Sequence, residues 1–138
     1  MMSLQDAARA LAAHGAHATA MVRFGSVGSD SRALVPGQLF VALRGERFDG
    51  HAFVGTAAEA GAAAALVDAR WFAENPAPVL PVVVVDDTRR ALGTLAAAWR
   101  ARFALPLIGI TGSNGKTTVK EMCAEILRAQ ARRHGFGE

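Results

Sequence analysis

The sequence predicts an α/β fold in two parts. Apolar runs typical of buried strands alternate with segments whose apolar residues recur at the 3.6-residue period of a helix. Near the end of the chain, an apolar run leads into a glycine-rich turn and then a helix, as in a phosphate-binding loop. The charge balance also changes: residues 1–86 hold six arginines and eight acidic residues, whereas residues 87–138 hold nine basic and four acidic residues. We therefore predict domains over 1–86 and 87–138.

Composition restricts the class of protein. With 138 residues, 51% of them hydrophobic and 20% charged, the chain is typical of a globular protein. The single cysteine, Cys123, excludes an internal disulfide framework and fits a reducing compartment. Apolar runs fall far short of the roughly 20 residues that a membrane span needs. We expect a cytoplasmic protein with no membrane span, and no nucleic-acid partner because the basic residues are not interleaved with aromatics.

The N-terminal segment predicts a helix and then a strand. Ser3 and Asp6 resemble a capping box, and the helix that they open is expected to end near Gly15. The strand is expected over residues 18–24. A polar segment punctuated by glycine follows it, and its last four residues are Ser29, Asp30, Ser31 and Arg32.

The middle of the chain predicts further strands separated by helical or polar segments. Pro36-Gly37 indicates a turn. A second polar loop, residues 44–51, opens a helix of about ten residues that closes near Gly61. The segment that begins near Trp71 contains prolines and predicts a loop. The strands are predicted over residues 38–43, 63–67 and 82–85.

The last part predicts a helix, a strand and a final helix. Asp86-Asp87-Thr88 caps a helix whose apolar side reaches Phe103 and which Pro106 ends. Residues 107–110 predict a buried strand. The final helix has one apolar stripe, formed by Val119, Met122, Cys123, Ile126 and Leu127. Because one strand, one loop and one helix do not complete a parallel sheet, we expect a truncated chain.

Between that strand and that helix lies the glycine-rich loop, which consists of Gly112, Ser113, Asn114, Gly115, Lys116, Thr117 and Thr118. In a phosphate-binding loop, backbone N–H groups turn toward the anion, the lysine reaches the β- and γ-phosphates, and the next hydroxyl binds Mg²⁺. Those residues would be Lys116 and Thr117. The general motif is incomplete, because its first glycine would fall at Ile110. An ordinary strand-to-helix turn with an exposed lysine is the alternative interpretation.

The two polar loops are weak signals when each is considered alone. Asp and Ser favour turns by bonding to nearby backbone, so residues 29–32 are explained as well by a turn as by a site. Residues 48–51 could likewise be a turn and a helix cap, with His51 on the surface. The remaining histidines have no metal-ligand partners at useful spacing.

Taken together, these segments resemble the Mur ligases of peptidoglycan synthesis. The resemblance rests on Ser-Asp-Ser-Arg, Pro-Gly-x-Leu-Phe-Val-Ala-Leu, Gly-x-x-Phe-Asp-Gly-His-x-Phe and Thr-Gly-x-x-Gly-Lys-Thr. It covers residues 20–128, and the family's loop lacks the first glycine of the general motif. The sequences of segments 48–51, 86–96 and 119–122 resemble those of the family members that join D-alanyl-D-alanine to UDP-N-acetylmuramoyl-tripeptide.

The resemblance implies a small N-terminal α/β substrate domain, followed by the truncated start of a P-loop parallel-sheet ATPase domain. Residues of the two polar loops would face the uridine and diphosphate of the UDP-linked substrate: Ser29, Asp30, Ser31, Arg32, Gly45, Asp49, Gly50 and His51. Residues 112–118 would bind ATP, Lys116 would neutralise the transferring phosphoryl group, and Thr117 would hold Mg²⁺. In the family's reaction, ATP activates a substrate carboxylate as an acyl phosphate, which the amine of D-alanyl-D-alanine attacks.

The resemblance also implies what this chain lacks. The family's Mg²⁺-binding glutamate and histidine, its carbamylated lysine and its C-terminal domain would all lie beyond residue 138. We therefore expect an inactive fragment. Separately, we expect a monomer. Two alternatives stay open: a family member that adds a different group, and a non-catalytic UDP-sugar binding module. A generic P-loop kinase or GTPase is disfavoured because about a hundred residues precede the loop.

Overall fold

The computed structural model describes residues 2–12, 22–46 and 48–133. Contacts between Cα atoms divide the chain into two units, Met1–Phe103 and Ala104–Glu138.

A parallel sheet of four strands forms the centre of the first unit. Its strands are β3 (Val27–Gly28), β4 (Leu39–Val41), β5 (Ala64–Asp68) and β6 (Val82–Val85), and they lie side by side in that order. A separate antiparallel pair joins β1 (Met2–Ser3) to β2 (Arg23–Phe24). The parallel register sets Leu39 beside Ala64 and Ala65 beside Val82. This sheet confirms the α/β class that the sequence predicts.

Four helices cover the faces of the sheet. They are α1 (Leu4–Ala10), α2 (Val54–Glu59), α3 (Ala69–Glu74) and α4 (Thr88–Arg100). Two 3₁₀ turns, Ser31–Ala33 and Gly50–Phe53, lie in the polar loops. The Ser3 hydroxyl accepts from the Asp6 amide and donates to its carboxylate, which confirms a reciprocal cap at the start of α1.

Side chains that alternate along the strands form a core on each face of the sheet. Leu39, Leu66 and Val83 pack with α1 and α4 on one face. Phe40, Val67 and Val82 pack with α2 on the other. Because both faces are covered, these strands are continuous apolar runs rather than alternating ones, as expected of a parallel sheet.

The structure differs from the sequence-based prediction at several elements. The segment after β5 was predicted as a loop, but it forms α3, because the Asp68 carboxylate accepts the Trp71 amide and caps a helix there. The helix predicted from Ala52 begins as a 3₁₀ turn and becomes α2 at Val54. The end of the first helix near Gly15 and the start of the strand over 18–24 lie outside the described residues.

The division between the units falls later than the predicted boundary at Asp86. Helix α4 lies C-terminal to that boundary, yet it buries Ala91 and Leu95 in the core of the first unit. The Thr88 hydroxyl donates to the Ala42 carbonyl at 2.8 Å and ties the start of α4 to the end of β4. Helix α4 therefore contributes to the core of the first unit, and the boundary at Asp86 stays a prediction.

The second unit contains α5 (Lys116–Arg133) and the segment that leads to it. Residues 107–110 do not form the predicted strand, and no described residue pairs with them in a sheet. A strand requires a neighbour for its N–H and C=O groups. The apolar stripe of α5 is exposed, with Met122 61% and Ile126 67% accessible.

Candidate functional site

The carboxyl ends of the parallel strands place both polar loops at one edge of the sheet. Residues 29–32 follow β3, and residues 44–51 follow its neighbour β4. Ligands of open α/β sheets commonly bind outside the carboxyl ends of the strands. The topology thus brings the two predicted substrate loops, which are separate in sequence, onto adjacent strands.

The first polar loop is organised by one carboxylate. Asp30 Oδ1 accepts from the backbone amide of Arg32 at 3.0 Å and from its Nε at 2.9 Å, and Oδ2 accepts from its Nη2 at 2.8 Å. The Arg32 side chain is 88% exposed. Hydrogen bonds from the side chain and the amide of Arg32 lower the pKa of Asp30 to about 2. Ser29 is exposed and Ser31 half-buried, so this loop presents hydroxyls and a fixed guanidinium to solvent.

The second polar loop is a closed turn. Arg44 and Asp49 form an isolated antiparallel bridge, and the Gly45 amide donates to the Phe48 carbonyl at 2.9 Å. The Gly50 amide donates to the Leu43 carbonyl at 2.8 Å. A Cβ on Gly50 would lie 2.7 Å from the Leu43 nitrogen, so only glycine fits there. Residue 47 lies outside the described residues.

His51 is a buried member of this loop, not the surface residue that the sequence left open. Its side chain is 1% exposed. The Asp68 amide donates to its Nε2 at 3.0 Å, so the ring proton lies on Nδ1, which donates to Asp49 Oδ1 at 2.6 Å. Both ring nitrogens are therefore engaged within the protein.

Sequence reasoning missed Arg44 and Asp68. Arg44 Nη1 contacts Asp49 Oδ2 at 2.6 Å, and its Nη2 contacts Asp68 Oδ2 at 2.8 Å. Burial tends to raise the pKa of the Asp68 carboxyl, but hydrogen bonds from the Trp71 amide and Arg44 lower it below its ordinary value. The bond to Asp68 in turn raises the pKa of Arg44. The position of Asp68, directly after the strand predicted over residues 63–67, was the available signal.

Phe48 is a further residue that the sequence did not single out as part of a site. Its side chain is 60% exposed, although its ring packs against the backbone of Gly45. An exposed aromatic ring beside polar groups offers a flat surface on which a base or sugar could stack.

The glycine-rich loop of the second unit has backbone angles that suit its predicted role. Gly112 has φ of +143° and Gly115 has φ of +74°, both in regions that favour glycine. Lys116 begins α5, and its Nζ donates to the Gly112 carbonyl at 2.5 Å and to the Ser113 carbonyl at 3.4 Å. The lysine thus folds back over the loop at the N-terminus of an 18-residue helix.

Thr117 is exposed at the second position of α5 and lines a cavity of about 270 Å³ with Lys116, Lys120, Ile108 and Ile110. Its hydroxyl is one oxygen ligand of the kind that Mg²⁺ accepts, and Mg²⁺ commonly takes few protein ligands and several from phosphates and water. Within residues 2–12, 22–46 and 48–133, no three His, Cys, Asp or Glu side chains converge as a metal site.

Across the described part of the chain, every helix is too short or too polar to cross a bilayer.

Two family models match the chain. The model described as "Mur ligase family, catalytic domain" matches residues 23–100, and that described as "Mur ligase middle domain" matches residues 110–138. The first match ends close to the division between the two units.

Several curated proteins are similar to this chain. UDP-N-acetylmuramoyl-tripeptide–D-alanyl-D-alanine ligase of Bacillus subtilis is 49% identical over 111 residues, which are 80% of this chain and 24% of the relative. The ligase of the same name from Synechocystis is 46% identical over 106 residues, 77% of this chain and 23% of the relative. UDP-N-acetylmuramoyl-L-alanyl-D-glutamate–2,6-diaminopimelate ligase of Listeria innocua is 34% identical over 137 residues, 98% of this chain and 27% of the relative. The chain thus spans about a quarter of the length of these relatives.

Solved structures of other proteins are also similar to this chain. MurF from Acinetobacter baumannii matches with a TM-score of 0.74 and 36% identity, over 92% of this chain and 27% of that protein. MurF from Thermotoga maritima in complex with ADP matches with a TM-score of 0.57 and 30% identity, over 78% of this chain and 24% of that protein.

Proposed function

This chain belongs to the Mur ligase family, and from that premise we propose that it serves the reaction for which its MurF-type relatives are named. In that reaction, D-alanyl-D-alanine is joined to UDP-N-acetylmuramoyl-tripeptide. The chain would contribute two binding functions: its first unit would hold the UDP end of the substrate, and its second would hold the phosphates of ATP.

The observation that carries the proposal is the placement of two polar loops on adjacent parallel strands. Both loops lie at the carboxyl edge of the sheet, where the first offers exposed Ser29 and Arg32 and the second offers Phe48. A uridine diphosphate has a flat base, a ribose and two phosphates. A guanidinium suits the phosphates, hydroxyls and backbone N–H groups suit the phosphates and sugar, and an aromatic ring suits the base.

Within these loops, the contacts separate two kinds of role. We assign contact with the UDP moiety to the exposed groups of residues 29–32 and to Gly45 and Phe48 of the second loop. Asp49, Gly50 and His51 are engaged with Arg44, Leu43 and Asp68, and they shape the loop.

The glycine-rich loop is proposed to bind the phosphates of ATP. Residues 112–115 would supply backbone N–H donors, and the N-terminus of α5 adds about half a unit of positive charge. Lys116 is the proposed catalytic residue. When the substrate carboxylate attacks the γ-phosphorus, the bond to ADP breaks, and the ammonium group would offset the charge on the phosphoryl oxygens.

Formation of the amide then requires only the second substrate. The amine of D-alanyl-D-alanine attacks the acyl carbon and loses a proton to solvent, and inorganic phosphate leaves as the C–O bond to phosphate breaks. Mg²⁺ bound with the nucleotide would neutralise phosphate charge, and Thr117 would hold it by its hydroxyl. The residues of this chain would bind and orient the reactants. Such positioning accounts for a large part of the lowering of the barrier to phosphoryl transfer.

A diaminopimelate-adding ligase is the second candidate, favoured by the 34% identity that extends over 98% of this chain. The higher identities, 46% and 49%, belong to the D-alanyl-D-alanine ligases. A screen of amine substrates with a complete ligase that contains this chain would separate the two. A non-catalytic module would bind the UDP-sugar but not ATP.

Isothermal titration calorimetry on the 138-residue chain tests the proposal. We expect saturable binding of UDP-N-acetylmuramoyl-tripeptide that Ser29→Ala or Arg32→Ala weakens, and binding of ATP that Lys116→Ala weakens. Each loss should leave the other ligand's affinity unchanged, because the ligands use different units. No binding of the UDP-linked tripeptide would refute the substrate assignment. Release of phosphate that needs both peptide substrates would refute the expectation that this chain alone is inactive.

A further inference from the structure

One carboxylate outside both predicted loops is joined to the second polar loop by two routes. We propose that Asp68, with Arg44 and His51, is a positioning residue that holds the 44–49 turn in its binding shape. We call these three residues the positioning cluster. The inference rests on the proposed function, since the turn is taken to contact the UDP moiety.

The first route runs through Arg44. Its Nε and Nη2 lie 3.2 and 2.8 Å from Asp68 Oδ2, and its Nη1 lies 2.6 Å from Asp49 Oδ2. The guanidinium therefore bridges two carboxylates, one on β5 and one at the end of the turn. With three of its nitrogens engaged, Arg44 is built to fix the loop rather than to bind a phosphate.

The second route runs through His51. The Asp68 backbone amide donates to His51 Nε2, and His51 Nδ1 donates to Asp49 Oδ1. The imidazole is packed near Trp71, with ring centroids 5.9 Å apart. Both routes end on Asp49, one on each carboxylate oxygen. Asp49 is thereby held in position and orientation.

The turn needs such support because its own sequence allows many backbone conformations. Gly45 lies in it and Gly50 follows it, and glycine loses more conformational freedom on folding than other residues. Within the turn, the Gly45 amide donates a hydrogen bond to the Phe48 carbonyl, and the Phe48 side chain stays largely exposed. If Asp49 is released, the bridge between residues 44 and 49 opens, and Phe48 is no longer presented in one place.

Asp68→Asn is the informative variant, and Asp87→Asn is its matched control. Asp68 ends a strand, Asp87 follows one, and both cap a helix: Asp68 accepts from the Trp71 amide at 2.8 Å, and Asp87 accepts from the Arg90 amide at 2.9 Å. Asn caps helices about as well as Asp, so both helices should be retained. Asp68→Asn also removes the charge that pairs with Arg44.

Two measurements on the 138-residue chain test the proposal: hydrogen exchange of the Gly45 amide by NMR, and affinity for UDP-N-acetylmuramoyl-tripeptide by calorimetry. We expect Asp68→Asn to speed the exchange and to weaken binding about tenfold, because a charge-assisted contact is lost. Asp87→Asn should change each by less than about twofold. Arg44→Lys should fall between wild type and Arg44→Gln, since it keeps the charge but not the bridge.

The outcomes separate the two proposals. Unchanged exchange in Asp68→Asn overturns the positioning role. Faster exchange with unchanged binding also overturns it, because the shape of the turn would then not matter to the ligand. If the wild-type chain binds no UDP-linked tripeptide, the proposed function fails and the functional role of the cluster fails with it. The exchange comparison then still shows whether Asp68 holds the turn.

Discussion

At the scale of single residues, Gly50 shows how a backbone contact restricts the sequence. Its Cα faces the backbone at the end of β4, where an added Cβ would lie 2.7 Å from both the nitrogen and the oxygen of Leu43. Neither atom belongs to a flexible side chain, so the strand or the turn would have to move. The glycine of the Asp-Gly-His segment is therefore required by packing, whatever the ligand.

We expect Gly50→Ala to lower the free energy of unfolding of the first unit by about 2 kcal/mol or more, because the clash is with backbone. Urea unfolding followed by tryptophan fluorescence measures this, since Trp71 and Trp99 both lie in that unit. Gly55→Ala is the control: nothing lies within 4 Å of its added Cβ, and Gly55 is in α2. It should cause no loss and a gain of up to about 1 kcal/mol. Equal losses in the two variants would contradict the steric argument.

At the scale of elements, the glycine-rich loop depends on backbone conformation rather than on side-chain contacts. Gly112 and Gly115 have positive φ, and the added Cβ at Gly115 would meet nothing within 4 Å. An alanine there would be strained by its own backbone, at a cost of about 1–2 kcal/mol. Gly109, by contrast, has no positive φ and nothing near it.

Gly115→Ala should therefore weaken ATP binding by at least about tenfold, because the loop's amides would no longer point to one anion site. Calorimetry with ATP on the whole chain measures the effect. Gly109→Ala, matched in size and located just before the loop, should bind ATP as the wild type does. If both variants bind equally, the loop's backbone geometry is not what recognises the nucleotide.

At the scale of the whole molecule, the chain consists of two units that differ in how well they bury their apolar residues. The first has a core on each face of its sheet, whereas α5 in the second exposes its apolar stripe. Helix α4 completes the first core, since Ala91 is 7% and Leu95 3% exposed.

We expect a polypeptide of residues 1–103 to unfold cooperatively and to bind UDP-N-acetylmuramoyl-tripeptide as the whole chain does. A polypeptide of residues 1–86 should lose cooperative unfolding, because removing α4 exposes apolar surface worth several kcal/mol, at about 25 cal/mol per Å². Thermal melting by circular dichroism distinguishes them. A cooperative transition in residues 1–86 alone would support the boundary that the charge pattern predicts.

Local patterns were sufficient to predict much of this protein. The valine run of β6, the capping box of α1 and the glycine-rich loop are each encoded in a few consecutive residues, and the structure has β6 and that cap where the sequence predicts them. The motif order was sufficient to indicate the Mur ligase family. These features are predictable because strands, caps and glycine turns depend on neighbours in the chain.

Only the tertiary structure decided the positioning cluster, the burial of His51 and the membership of α4 in the first core. Arg44 and Asp68 are 24 residues apart, and Thr88 and Ala42 are 46 apart. Pairing of β4 with β5 and packing of α4 bring these groups together. A single sequence contains no local signal for such contacts, because their partners become neighbours only when distant strands align. The sequence by itself therefore determined the elements and their family, while long-range packing decided which polar groups bind each other and which remain exposed to a ligand.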